Sequence, residues 1–196
     1  MRRPWWQLVL VGTLFSVPAF ADYGGKPSMP VPENSNSMEK PESPDAPKTP
    51  RQQAEAYYRD AYDDVQNGAK ELADGKGKPA SKHFSRALER SRHAVELDST
   101  YYQAWNLVGF TSRKLGDYPG AFSAYLVALR IKPDFGLARE YYGEGLLETG
   151  DVGGAMQQLS WLKKIGELAL ADELQKSIAS YQSAHGDSTS TASGSR

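Results

Sequence analysis

Gly116-Asp117-Tyr118-Pro119-Gly120-Ala121 returns 34 residues later as Gly150-Asp151-Val152-Gly153-Gly154-Ala155, and this repetition decides the fold. The same spacing separates Gly109 from Gly143. Three longer series keep the register over three periods: Ala87, Ala121 and Ala155; Phe84, Tyr118 and Val152; Leu97, Ile131 and Ile165. Several independent series in one register indicate an array of supersecondary units.

The apolar residues within each period follow helical spacing. Ala104, Trp105, Val108 and Gly109 mark one helix face, and Ala121, Tyr125, Ala128 and Leu129 mark the next. Gly116 suits the left-handed end of the first helix, and Asp117 suits the N-cap of the second. Because no stretch shows sustained strand alternation, the sequence predicts an all-α chain of repeated helix–turn–helix units.

The best-defined unit resembles the tetratricopeptide repeat. Trp105-x2-Val108-Gly109, Ala121-x3-Tyr125, Ala128 and Pro133 are similar to that family's signature. Residues 102–135 match it well. Residues 136–169 match it in part, with Arg139 in place of the first-helix aromatic and Leu162 in place of a small residue.

The resemblance extends to both sides of these two repeats. A degenerate repeat covers about 54–101, and its helices are joined by Gly75-Lys76-Gly77-Lys78-Pro79, a longer turn than the family norm. An amphipathic helix over about 167–183 resembles the helix that caps such arrays. The resemblance therefore implies a short right-handed α-solenoid of tetratricopeptide-like hairpins with a C-terminal capping helix. It also assigns packing roles to Trp105 and Tyr125.

The two ends of the chain differ from the repeats in composition. Residues 1–21 combine Arg2 and Arg3 with an apolar run ending in Ala19-Phe20-Ala21, which predicts a signal peptide cleaved after Ala21. Retention of this segment as a membrane anchor is the alternative. A proline-rich disordered linker is predicted over 22–50, a helical domain over 51–183 and a disordered tail over 184–196. The mature protein is thus expected in the periplasm or outside the cell.

Composition narrows the classes of function. The formal net charge of −1 lacks the basic excess of a general nucleic-acid binder, and the absence of cysteine excludes disulfides, a thiol nucleophile and cysteine-ligated zinc. No nucleophile elbow, phosphate-binding loop or metalloprotease pair is present. Asp60, Asp63 and Asp64 form a cluster that either holds a cation weakly or pairs with nearby basic residues. We therefore predict a non-enzymatic protein with no catalytic residue, no cofactor and no metal site.

The resemblance implies that the first helices of successive hairpins line a concave groove, which takes a peptide or helix from a partner protein. The register places eleven candidate residues there: Gln103, Asn106, Phe110, Arg113, Lys114, Leu137, Glu140, Tyr141, Glu144, Leu147 and Glu148. Glu140, Glu144 and Glu148 are spaced by four and stack on one helix face.

Two interpretations of this acidic stripe remain open. In one, the stripe accepts a basic segment of a partner, and Phe110 is an apolar anchor. In the other, Arg113 and Lys114 neutralise the glutamates within the protein, or all of these groups are solvated. No basic clamp on a C-terminal carboxylate is predicted, because only Asn106 resembles part of one.

A second, basic stretch spans 76–92 and contains Lys76, Lys78, Lys82, Arg86, Arg90 and Arg92. It suits an anionic lipid headgroup or an acidic partner, or it is a solvated helix face. The sequence as a whole predicts an exported adaptor for a protein or peptide partner. The alternative is a structural subunit of an envelope assembly in secretion, pilus, division or cell-wall machinery. Nucleic acid is not expected as a partner, and membrane contact is expected to be at most peripheral.

Overall fold

The computed structural model describes residues 48–186, so the predicted signal segment, nearly all of the predicted linker and most of the predicted tail lie outside the described residues. The first three residues of that tail, 184–186, belong to the last helix, so the prediction of disorder is wrong for them. Within this range the chain is all-helical and contains no strand. Its seven helices are α1 (Pro50–Ala73), α2 (Gly77–Leu97), α3 (Tyr102–Lys114), α4 (Tyr118–Ile131), α5 (Gly136–Glu148), α6 (Val152–Ile165) and α7 (Leu168–Gly186). Each helix packs against the next in the chain, and α5 also packs against α7.

The first helix begins at a reciprocal cap. Thr49 Oγ1 accepts a hydrogen bond from the Gln52 N–H at 3.2 Å, and Gln52 Oε1 accepts one from the Thr49 N–H at 2.8 Å. Pro50 occupies the first helical position, where its missing N–H removes no intrahelical bond. The cap satisfies two backbone donors and starts α1 at the last residue of the predicted linker.

The turns inside the helix pairs α1–α2, α3–α4 and α5–α6 are all three residues long. Each has a glycine at its centre in the left-handed region, with φ of 74° at Gly75, 84° at Gly116 and 86° at Gly150. The expectation of a longer first turn is therefore wrong. Helix α2 already begins at Gly77, and Pro79 fits into its first turn because no intrahelical donor is needed there. The extra residues lengthen α1 and α2 instead.

The predicted caps are confirmed. Asp117 Oδ1 accepts a hydrogen bond from the Gly120 N–H at 3.0 Å, and Asp151 Oδ1 accepts one from the Gly154 N–H at 2.8 Å. The two aspartates are one period apart, so the 34-residue repetition in sequence reappears as repeated local geometry. Each cap satisfies one of the free donors at its helix N-terminus.

Small residues allow close approach between helices at two places one period apart. A Cβ added at Gly109 would lie 2.6 Å from Tyr125 Cδ1, and one added at Gly143 would lie 2.6 Å from Leu174 Cδ2. Tyr125 and Leu174 are both fully buried. The first cluster of core side chains runs from α1 to α5, and the second joins α5, α6 and α7.

Arg139 takes over the structural role of an aromatic residue. Trp105 is half-buried against the core, and its Nε1 donates to the Ser99 carbonyl at 2.9 Å. One period later, Arg139 Nη2 donates to the Pro133 carbonyl at 2.7 Å. Both bonds therefore reach a carbonyl six residues earlier in the chain. The Arg139 guanidinium also lies 4.5 Å from the ring centroid of Trp161, which covers it.

Candidate binding face between α3 and α5

Helix α3 lies in the interior of the protein. It packs mainly on α2 and α4, with smaller contacts to α1 and α5, and every residue from Asn106 to Arg113 is buried. Helix α5 is similarly enclosed by α4, α6 and α7. Because all eleven candidate residues lie on α3 and α5, most of them meet other parts of the protein. We call these eleven residues the α3/α5 face.

The structure divides the α3/α5 face by depth. Its buried members are Asn106, Phe110, Arg113, Glu140, Tyr141 and Leu147; its half-buried members are Gln103, Leu137, Glu144 and Glu148; and its exposed member is Lys114. The surface of this face is therefore formed by Lys114 and the four half-buried side chains. The predicted role of these residues in partner binding stays a prediction.

Arg113 joins the two helices from inside. Its Nη1 donates to Glu148 Oε1 at 2.9 Å and to Glu144 Oε2 at 3.3 Å. Burial alone would lower the pKa of Arg113, but Tyr125 and these carboxylates keep that pKa above its ordinary value. Two of the three glutamates in the predicted acidic stripe thus share one buried cation within the protein.

Helix α7 closes the other side of the acidic stripe. Ser177 Oγ donates to Glu144 Oε1 at 3.0 Å, so Glu144 is held by α3 from one side and by α7 from the other. Sequence reasoning did not assign Ser177 to the face. Its placement depends on α7 packing against α5, which the 34-residue register does not encode.

Glu140 differs from the other two glutamates. Its side chain is nine-tenths buried, and it forms no ion pair or hydrogen bond among the described residues. Burial, together with the charge of Glu144, raises the pKa of Glu140 to about 8, against the opposing effect of Arg113. Glu173 on α7 adds to this rise, and Lys114 on α3 opposes it. A carboxyl group with this pKa is mostly protonated at pH 7 in the free protein.

Phe110 is part of an aromatic row. Its ring centroid lies 6.4 Å from that of Phe84 on α2 and 5.2 Å from that of Tyr141 on α5. The side chain is 4% exposed, so the structure places the predicted apolar anchor in the core. Direct contact between Phe110 and a partner would require these helices to separate.

Several buried polar atoms around this row have no hydrogen-bond partner within the described residues. They include both polar atoms of the Asn106 amide, Gln103 Oε1 and the hydroxyl groups of Tyr125 and Tyr141. A buried polar group without a partner costs about 1–3 kcal/mol. The interior beneath the α3/α5 face is therefore polar as well as aromatic.

The basic stretch 76–92 is partly neutralised by α1. Arg90 Nη1 donates to Asp64 Oδ2 at 2.6 Å, and Arg86 Nη2 donates to Asp64 Oδ1 at 2.8 Å. His83 Nδ1 also lies 3.1 Å from this carboxylate. Lys76 is paired with Asp74 at the turn. Asp64 is buried and engaged by basic side chains, which agrees with the pairing interpretation of the aspartate cluster.

Residues 48–186 contain no group of three or more side chains placed to hold a metal ion. No helix in the same range is long and apolar enough to cross a bilayer.

A comparison of the chain with known protein families finds no match, and a comparison with curated protein sequences finds none either.

Proposed function

We propose that this protein is a non-enzymatic adaptor of the bacterial envelope that binds a segment of a partner protein on the α3/α5 face. The architecture proposed for it is a short right-handed α-solenoid of tetratricopeptide-like hairpins, with α7 as the capping helix. One observation carries the proposal: the 34-residue period reappears as repeated geometry, with left-handed Gly116 and Gly150 followed by capping Asp117 and Asp151. Arrays of such units present extended surfaces suited to binding other chains.

The surface chemistry of the α3/α5 face supports this proposal. Lys114 is exposed at the end of α3, and Gln103, Leu137 and Glu144 are half-buried elsewhere along α3 and α5. The face thus combines basic, amide, apolar and acidic side chains on two neighbouring helices. A mixed surface of this kind suits a peptide segment better than a bilayer. Export to the periplasm or beyond is part of the proposal and rests on the composition of residues 1–21.

A structural subunit of an envelope assembly is the second candidate, and a different surface favours it. Large apolar side chains are exposed on α6 and at the start of α7: Met156 is 46% exposed, Trp161 42% and Leu168 63%. Apolar side chains that form one patch are typical of surfaces that other subunits cover, and the structural-subunit candidate assigns that role to these residues. This surface lies on elements other than α3 and α5, so the two candidates can be tested separately.

The test compares two substitutions in the full chain, Lys114→Glu on the α3/α5 face and Trp161→Glu on α6. Both positions are exposed, and circular dichroism checks that each variant keeps its helices. The measurement is the set of proteins crosslinked in the envelope and identified by mass spectrometry. The adaptor proposal predicts that Lys114→Glu removes a partner and Trp161→Glu keeps it. The reverse pattern would favour the structural subunit, and loss in neither variant would contradict both.

A further inference from the structure

The charges around the α3/α5 face do not balance. Glu140, Glu144 and Glu148 lie on α5, and the charge of Glu173 on α7 also raises the pKa of Glu140. Arg113 is the cation buried among them, and its Nη1 is already shared between Glu144 and Glu148. Glu173 has its own partner in Lys176, whose Nζ lies 3.1 Å away. Glu140 thus forms no ion pair within the described residues, and the nearby charges of Arg113 and Lys114 do not outweigh burial and Glu144 in setting its pKa.

The lack of an ion pair at Glu140 is unfavourable because the side chain is buried. A carboxylate removed from water is unfavourable unless a cation or hydrogen-bond donors compensate for it. The free protein meets this cost by protonation, because burial first and Glu144 second raise the pKa of Glu140 to about 8. A cation from another molecule would instead compensate for the buried charge, and it would favour the ionised form of Glu140.

The carboxylate is recessed without being sealed. The oxygens of Glu140 are not among the fully enclosed, unpartnered side-chain atoms of this region, which belong to Gln103, Asn106, Ser112, Arg113, Tyr125 and Tyr141. A group that reaches Glu140 from solvent must therefore enter a narrow opening, because the residue as a whole is only 8% exposed. Leu137 lies one helical turn before Glu140 and is half-buried, so it provides apolar surface beside that side chain.

We propose that Glu140 is the anionic contact for a lysine or arginine side chain of the segment bound on the α3/α5 face, with Glu144 beside it. This inference rests on the proposed function. Both side chains carry their charge at the end of an apolar stem, which can lie along Leu137 while the charged end reaches the carboxylate. A divalent metal ion suits the place less well, because calcium takes six to eight oxygen ligands and magnesium requires an octahedral set.

The test uses pools of peptides with blocked ends, so that terminal charges play no part. Each pool consists of decapeptides with random flanks and one fixed central residue: lysine, arginine, norleucine, glutamine or glutamate. Affinity for the full chain is measured by fluorescence anisotropy at about pH 9, where Glu140 is ionised and binding does not have to remove its proton. The lysine and arginine pools should bind about tenfold more tightly than the norleucine pool, as expected for one hydrogen-bonded contact to a charged group.

The preference must depend on Glu140 itself. Glu140→Gln keeps the shape of the side chain and should abolish the tenfold preference, whereas Glu89→Gln, at an exposed position on α2, should retain it. Equal preference in wild type and Glu140→Gln would overturn the inference. Binding of all pools with equal affinity would overturn it as well, but would leave the proposed function standing. Failure of every pool to bind the wild-type chain would contradict the proposed function and this inference together.

Discussion

Gly109→Ala tests whether close helix approach holds the repeats together. A Cβ at this position would lie 2.6 Å from both Tyr125 Cδ1 and Tyr125 Cε1. Favourable contact between carbon atoms occurs at about 3.5–4.0 Å, so the new methyl group lacks roughly 1 Å of space. Tyr125 is fully buried and cannot rotate into solvent. Helices α3 and α4 must therefore move apart to accept alanine.

The size of the effect follows from two opposing contributions. Overpacking in a well-packed core costs about 1–3 kcal/mol, occasionally more. Alanine gains up to about 1 kcal/mol over glycine in a helix interior, which offsets part of this cost. We expect Gly109→Ala to lower the free energy of unfolding by about 1–2 kcal/mol.

The assay is urea unfolding of the full chain followed by circular dichroism, with Gly77→Ala as the matched control. Gly77 also lies in a helix, but no heavy atom lies within 4 Å of a Cβ added there. The control should be neutral or slightly stabilised. If Gly109→Ala unfolds at the same urea concentration as the wild type, the packing argument is refuted.

Three further predictions use the same unfolding assay. Asp64→Ala should cost about 2 kcal/mol at pH 7, because it removes the carboxylate that Arg86 and Arg90 share. Burial opposes ionisation, yet the bonds from Arg86 and His83 hold the pKa of Asp64 below its ordinary value, so this deficit should shrink as the pH falls below about 4. The pH dependence that Glu140 contributes has the opposite sign. Folding raises its pKa from 4.5 to about 8, so the free energy of unfolding should fall as the pH rises through that range. Glu140→Gln should remove this fall, whose upper limit is on the order of 5 kcal/mol. Asp151→Ala removes the cap on the Gly154 N–H and should cost about 1 kcal/mol.

Local features of this fold could be predicted from the sequence. The left-handed glycines and the capping aspartates act within a few residues of their own position, so a repeated pattern such as Gly116-Asp117 contains all that is needed. The lengths of α1 and α2 were harder to predict, because Pro79 looked like a turn residue and is tolerated in a first helical turn.

For the α3/α5 face, the sequence predicts which residues share a helix face but not which other helices they contact. The register placed Asn106 and Phe110 on one helix face, but it contained no information about which helices cover that face. It likewise did not show that Asp64 points toward α2 or that Ser177 reaches Glu144. Each of these contacts joins residues far apart in sequence, and it depends on the packing of whole helices.

Arg139 shows a different reason for a missed role. A charged residue in place of an aromatic one predicts weaker packing, yet the guanidinium forms the same kind of carbonyl bond that Trp105 forms one period earlier. Arginine is planar and stacks on aromatic rings, so Trp161 can cover it. A substitution that looks unfavourable in the pattern is therefore accommodated by a neighbour on α6.

Site-specific photocrosslinking in living cells tests the central claim most directly. A photoreactive amino acid replaces Lys114 on the α3/α5 face, and in separate strains it replaces Gln157 or Trp161 on α6, all three being exposed positions. The adaptor proposal predicts a discrete crosslinked partner from position 114 and none from positions 157 and 161. Crosslinks from position 161 with none from position 114 would contradict it.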